Sequence, residues 1–284
     1  MTLQEKNREI RAQLAKVVGE REAYWMARDI IEDVMSYNEV DIIVKGNDEL
    51  SDFILSKIDA IVQRVKNGEP LQQVLGWAMF CGNRFKVTRE TLIPRPETQE
   101  LVDIIVNRHK EAKDLRIIDI GTGTGCIAIS LARALKFPIV NAIDISQETL
   151  DVACENARKL KANVNFECRD ALILKKRPNE LYNIIVSNPP YIVDRERDEM
   201  ESVVLDYEPQ RALFVPEDDP LKFYRAIAEW GKEVLFSGGC VYFEINPLFV
   251  TEMVDMMQLI GYYDVEVMKD MQGRDRMLCA KYTK

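Results

Sequence analysis

Residues 115–135 read LRIIDIGTGTGCIAISLARAL, and this stretch decides the fold. LRIIDI is a nearly continuous apolar run, the pattern of a strand buried on both faces. GTGTG follows at once. Glycines let the backbone turn sharply and let a ligand approach the main chain closely. CIAISLARAL then reads as a helix. Strand, glycine turn and helix in that order open a parallel α/β unit.

The alternation continues outward toward the C-terminus. PIVNAIDI is a second strand, and SQETLDVACENARKL is a helix with Ser146 as its natural N-cap. NVNFEC, LYNIIVS and GCVYFEI are the third, fourth and fifth strands. FVTEMVDMMQLIG is a helix ending at Gly261. YDVEVMKD and DRMLCAKY finish the sheet as a hairpin pair. The expected fold is α/β: a doubly wound, mostly parallel, seven-stranded sheet with helices on both faces.

Toward the N-terminus, PETQELVDIIV starts a helix with Pro96 in its first turn, where the missing donor costs nothing. LIPRPET is a rigid extended segment. Residues 80–87, with Gly82 and Asn83 inside, read as a short hairpin. LQEKNREIRAQLAKVV, REAYWMARDIIEDVMSY and NDELSDFILSKIDAIVQRVKNG all place apolar residues at helical intervals. The expected division is a small helical bundle over 1–74, a hairpin linker over 75–93 and an α/β domain over 94–284. The bundle reads equally well as a structural cap, an oligomer contact or a docking domain for a macromolecular partner.

The totals narrow the function. The chain has 284 residues, 47% of them hydrophobic, with 38 basic and 47 acidic side chains and a net charge of −9. A protein that grips a duplex by its phosphates carries a basic surplus. This balance suits a protein or small-molecule substrate, with no direct reading of nucleic acid. The N-terminus lacks a secretory apolar stretch, and no apolar run of about 18 residues appears. The expected compartment is the cytoplasm, with no membrane span. Six cysteines without a C-x-x-C pair read as reduced and structural. One histidine, His109, argues against His-built zinc sites and a Ser-His-Asp machine, so no metal is expected.

Two motifs carry chemistry. The first is the glycine loop of residues 121–125 together with Asp144 at the end of the next strand, where a carboxylate can accept hydrogen bonds from ribose hydroxyls. The bland alternative is a plain glycine turn with a surface Asp. The spacing is G-x-G-x-G, neither a dinucleotide fingerprint nor a P-loop. The second is Asn188-Pro189-Pro190-Tyr191 at the end of the fourth strand, where the crevice of such a sheet opens. A carboxamide or aryl NH₂ is a poor nucleophile because its lone pair is delocalised. The Asn188 oxygen and the Pro189 carbonyl together can hold both N–H bonds and aim the nitrogen. The prolines hold that carbonyl with little entropy to lose, and Tyr191 can pack on the planar group. The bland alternative is a strand-terminating diproline.

The glycine loop after an acidic strand end resembles the S-adenosylmethionine site of the seven-stranded, Rossmann-like methyltransferases. That resemblance implies that Gly121, Thr122, Gly123, Thr124 and Gly125 back the methionine and ribose part. It implies that Asp144 takes the ribose, that Asp170 and Ala171 neighbour the adenine, and that Asn188 faces the cofactor. N-P-P-Y occurs in two groups that methylate NH₂ nitrogen, adenine N(6) DNA methyltransferases and protein glutamine N(5) methyltransferases. The flanks GNRFKVTRETLIPRPETQELVD, DIGTGTGCIAISLA, AIDISQETLDVACENARK, IIVSNPPYI and YEPQRAL resemble the HemK type of peptide chain release factor glutamine methyltransferases. The resemblance runs from about residue 70 to the C-terminus. It implies a substrate, the glutamine of the Gly-Gly-Gln loop in class 1 release factors, gripped by Asn188, Pro189, Pro190 and Tyr191. It also implies that IPRPET lines the site, with Arg95 and Glu97 orienting substrate or cofactor, or closing a hinge. Gln99 and Ala171 depart from the family pattern, which has Glu and an aromatic there. The rival readings are an adenine DNA methyltransferase and a non-catalytic cofactor-binding scaffold.

Overall fold

The computed structural model describes residues 1–200 and 202–284. Contacts divide these into two units, 1–77 with 202–207 and 78–200 with 208–284. The hairpin segment after Trp77 therefore belongs to the larger unit.

The smaller unit is helical. Thr2 opens the helix Leu3–Val18 with a capping box, its side chain accepting from the Glu5 N–H while Glu5 accepts from the Thr2 N–H. Gly19, at φ 84°, separates that helix from Glu20–Met35. The next long helix runs Asp52–Lys66. It does not begin at Asn47, as apolar spacing alone suggests. Ser51 caps it by accepting from the Ile54 N–H, and residues 48–50 are tied by backbone bonds to residues 1–3. A short helix that periodicity did not single out, Glu39–Val44, is held by a second capping box from Asn38. Leu3, Ile10, Leu14, Ala27, Ile30, Ile31 and Ile58 are buried together.

In the larger unit seven strands form one sheet: β1 Arg116–Ile120, β2 Ile139–Asp144, β3 Val164–Cys168, β4 Tyr182–Ser187, β5 Leu235–Glu244, β6 Tyr263–Lys269 and β7 Asp275–Tyr282. Their order is β6-β7-β5-β4-β1-β2-β3. β3, β2, β1, β4 and β5 pair in parallel, and β7 pairs antiparallel with both β5 and β6. Structures of this kind are doubly wound because successive side chains of a parallel strand point to opposite cores. Ile117 and Ile184 pack on one face with helix Cys126–Ala134. Ile118 and Ile185 pack on the other with helices Lys222–Val234 and Val250–Ile260. β5 begins at Leu235, earlier than the apolar run from Gly239. Leu235 pairs with Tyr182 and the register then shifts before Ile184 meets Cys240, a bulge that Gly238 at φ 79° makes possible.

The register sets the site. Ile120 pairs with both Ile143 and Ser187, and Ser187 pairs with Phe243. The residues after these, Gly121, Asp144, Asn188 and Glu244, therefore emerge side by side at the carboxyl ends of four adjacent strands. The chain reverses strand order at β1, with β2 on one flank and β4 on the other. That is where such sheets open a crevice.

Candidate active site

A cavity of about 330 Å³ lies at that crevice, a size ordinary for small-molecule sites. Gly121 and Gly123 form one wall. Both are left-handed, at φ 74° and 55°. A Cβ on either would meet nothing within 4 Å, so the space a side chain would fill is left to a ligand. Gly125 has a different reason. A Cβ there would sit 2.9 Å from Ile129 Cδ1 and 3.2 Å from Ala153 Cβ, so it serves helix packing. Thr122, Thr124 and Gly125 do not line the cavity. Thr122 instead turns inward and donates to Asp119 Oδ2 at 2.6 Å.

Asp119, fully buried at the end of β1, organises the loop. Its Oδ2 also accepts the Ala128 N–H at 3.2 Å, while Oδ1 has no partner among the described residues. Burial pushes its carboxyl up to about 7. Asp144 lines the cavity. Its carboxylate is aimed by backbone donors, with Gly123 N–H at 3.0 Å on Oδ2 and Ser146 N–H at 3.1 Å on Oδ1. Burial pushes its carboxyl up, and the two backbone donors pull back. A carboxylate held this way has lone pairs left for hydroxyl donors.

Asp170 and Ala171 also reach the cavity. Asp170 caps the short 3-10 turn that follows by accepting the Leu172 N–H at 2.8 Å. Leu172, Ile145 and Phe223 add apolar surface there. Phe223, from the helix Lys222–Val234, was not legible as a site residue, since it is distant in sequence from every motif. Arg169, which also lines the cavity, pairs with Glu180 at 2.6 Å, both nearly buried, which pins the segment between them.

The opposite wall is Asn188, Pro189 and Pro190. Tyr191 does not line the cavity. Its hydroxyl turns away to donate to Glu244 Oε1 at 3.0 Å. Asn188 Nδ2 donates to Thr98 Oγ1 at 3.1 Å, and Thr98 Oγ1 donates to Glu244 Oε2 at 2.6 Å. Burial pushes the Glu244 carboxyl up, and its two hydroxyl donors pull it back.

The IPRPET segment is tied by Glu208 of YEPQRAL. Arg95 Nη2 donates to Glu208 Oε1 at 2.5 Å and the Ile93 N–H to Oε2 at 3.0 Å. Arg95 thus closes two loops on one buried carboxylate. Gln99 Oε1 accepts the Cys81 N–H at 2.9 Å and so holds the hairpin turn, where Cys81 and Gly82 are both left-handed.

Two family models match this sequence. Residues 98–205 match the model "Methyltransferase small domain", and residues 7–76 match "PrmC N-terminal domain". A release factor glutamine methyltransferase of Bacteroides thetaiotaomicron is 44% identical over 271 residues, covering 95% of this chain and 97% of that protein. One of Flavobacterium psychrophilum is 38% identical, covering 93% and 94%. A crystal structure of a methyltransferase from Pyrococcus furiosus shares the fold at 17% identity and a TM-score of 0.53, over 78% of this chain and 98% of that one. With identity at that level along almost its whole length, the chain belongs to the family of release factor glutamine methyltransferases.

Proposed function

We propose that this cavity is where S-adenosylmethionine and a release factor glutamine side chain meet, and that Asn188 and the Pro189 carbonyl hold the glutamine's amide hydrogens. The protein is an S-adenosylmethionine-dependent protein-glutamine methyltransferase whose partners are release factors. The cavity's residues fit that cofactor. The glycine wall leaves room for a ligand against the main chain, and Asp144 offers an oriented acceptor for a ribose diol. Asp170, Ala171, Leu172 and Phe223 offer an edge and a face for a purine.

When bound, S-adenosylmethionine supplies an electrophilic methyl carbon. The chain's own contribution is to the amide. Two acceptors on its N–H bonds turn the nitrogen toward that carbon and favour the more positive nitrogen of the transition state. The nitrogen then sheds one proton to water, so no general base is needed. The Tyr191 hydroxyl is spent on Glu244, which fixes the ring that is proposed to pack on the planar amide. The helical unit, residues 1–77, is assigned the docking role, and the glutamine that of the Gly-Gly-Gln loop in class 1 factors. No helix among the described residues is long and apolar enough to cross a membrane, and the proposed compartment is the cytoplasm.

The observation that carries this reading is the register, which brings the ends of β1 and β4 to opposite walls of one cavity. The test uses methyl-labelled cofactor with purified release factor and adenine-containing DNA in separate reactions. Label on the release factor glutamine, found by peptide mass spectrometry, is the expected result. Label on DNA, or on neither, overturns it.

A further inference from the structure

Asn188 has a problem of orientation that the sequence motif leaves unsolved. A carboxamide has nearly the same shape when its oxygen and nitrogen exchange places. With its oxygen toward the cavity, Asn188 accepts from a substrate amide. With its NH₂ group there, it presents donors to donors, and the clamp fails. The prolines that follow restrict the backbone but do not choose between the two.

The choice is made behind the cavity. Glu244 ends β5 and is 1% exposed, and Thr98 is 3% exposed. Glu244 is the acceptor here, because each of its oxygens takes a hydroxyl, Tyr191 on Oε1 and Thr98 on Oε2. The Thr98 hydroxyl proton therefore goes to Glu244 Oε2, at 2.6 Å. That leaves Thr98 Oγ1 with lone pairs alone toward Asn188. Only the NH₂ end of Asn188 can satisfy them, as it does at 3.1 Å. The cavity side of the amide is left to Oδ1. The second carboxylate oxygen is occupied by the Tyr191 hydroxyl at 3.0 Å, and the Glu244 carbonyl accepts from Tyr224 Oη at 2.9 Å. Glu244 is thus anchored at both its side chain and its main chain.

We infer that Glu244 and Thr98 form a polarity relay that sets the flip of the Asn188 carboxamide, with its oxygen facing the glutamine amide. Both are positioning residues, since neither touches the cavity. The relay rests on the reading of Asn188 as an acceptor for the substrate. It joins three segments far apart in sequence: the helix Pro96–His109 through Thr98, the tip of β4 through Asn188, and the end of β5 through Glu244. It also gives the fourth residue of N-P-P-Y a task, because the Tyr191 hydroxyl fills Glu244 Oε1 and holds the carboxylate with Oε2 toward Thr98.

A merely structural role would tie the same helix to the sheet without regard to polarity. Three variants separate the two. Thr98→Ser keeps the hydroxyl and is expected to retain most of kcat. Thr98→Val keeps the volume and removes the relay, and kcat is expected to fall about 10²-fold, the order seen when one preorganised hydrogen-bonding group is lost from an active site. The affinity for S-adenosylhomocysteine by calorimetry is expected to stay within about threefold, because the relay does not reach the cofactor wall. Glu244→Gln, of the same volume, can both donate and accept, so both flips become allowed and a smaller fall of about tenfold is expected. It also repeats the test should Thr98→Val fail to fold. Asn188→Ala is measured beside them. If it loses turnover while Thr98→Val and Glu244→Gln keep wild-type kcat, the relay is wrong and the acceptor role of Asn188 stands. If Thr98→Ser falls as far as Thr98→Val, the role is packing and the relay is wrong. If Asn188→Ala itself keeps turnover, the underlying reading of the clamp falls.

Discussion

The two walls of the cavity are built on different principles. The wall after β1 is made of main chain: Gly121 and Gly123 in left-handed conformations, backed by N–H bonds to Asp144 and Asp119 that span at most one strand–helix–strand unit. The wall after β4 is made of side chains, and its partners come from afar. Asn188 is oriented by Thr98 and, through it, by Glu244, separated from it by 90 and 56 positions along the chain. A wall of backbone tolerates changes to its side chains but not to its glycines. A wall of side chains fails wherever its chain of donors and acceptors is cut. On the proposed roles of the two walls, the difference teaches that binding is a local property and turnover a long-range one.

The sharpest way to break the comparison is Asn188→Ala. The side-chain wall predicts a fall in kcat of about 10³-fold with S-adenosylhomocysteine affinity nearly unchanged, read by single-turnover kinetics and calorimetry. A matched loss of affinity would show that the walls are not separable.

The glycine wall predicts the opposite split. In Gly123→Ala the new methyl group projects where nothing now lies within 4 Å, on a left-handed backbone at φ 55°. Strain of about 1–2 kcal/mol and occupied ligand space should weaken cofactor binding roughly tenfold. kcat at saturating cofactor should hold. Gly125→Ala sharpens the contrast, because its Cβ meets Ile129 and Ala153 rather than the cavity. It should lower stability by about 1–3 kcal/mol and leave affinity alone. An affinity loss at Gly125 equal to that at Gly123 would overturn the division within the loop.

The last effect concerns Asp119, which supports the glycine wall from below. Its carboxyl is pushed up to about 7 by burial, against an ordinary value of 3.8. The folded protein therefore keeps this proton while the unfolded chain loses it. Stability from this group is full below pH 4 and is lost as pH rises toward 7. The wild-type melting temperature should fall over that range, relative to Asp119→Asn, by roughly 10 °C. Parallel melting curves for the two proteins between pH 4 and 7 would remove Asp119 from the account.

Much of the sheet was legible because its signals are local. LRIIDI, PIVNAIDI and LYNIIVS are apolar runs bounded by glycine, serine or proline, and each became a strand at nearly the expected residues. The helix from Pro96 and the Ser146 cap were legible for the same reason, since a first-turn proline and a side-chain cap act within a few residues. Apolar spacing in NDELSDF extends the helix back to Asn47, but backbone pairing of residues 48–50 with residues 1–3 holds that stretch out of it. Motif spacing groups Thr122 and Thr124 with their glycines, because it says nothing of which way a side chain turns. Glu208 lies in YEPQRAL and Arg169 beside Asp170, yet neither stretch names the partner that folding brings to it, and Phe223 and Glu244 have no chemical pattern around them to mark a site.

The sequence by itself determined the strand-and-helix order, the turn chemistry at GTGTG and the amide at the tip of β4. These depend on backbone preferences and hydrophobic period, which are written within a window of a few residues. Only the tertiary structure decided that the Asn188 amide donates to Thr98, that the Tyr191 hydroxyl donates to Glu244, and that Arg95 serves a buried Glu208. Those outcomes depend on strand register and on hydrogen-bond polarity between groups brought together by folding, and no short stretch of the chain contains both partners.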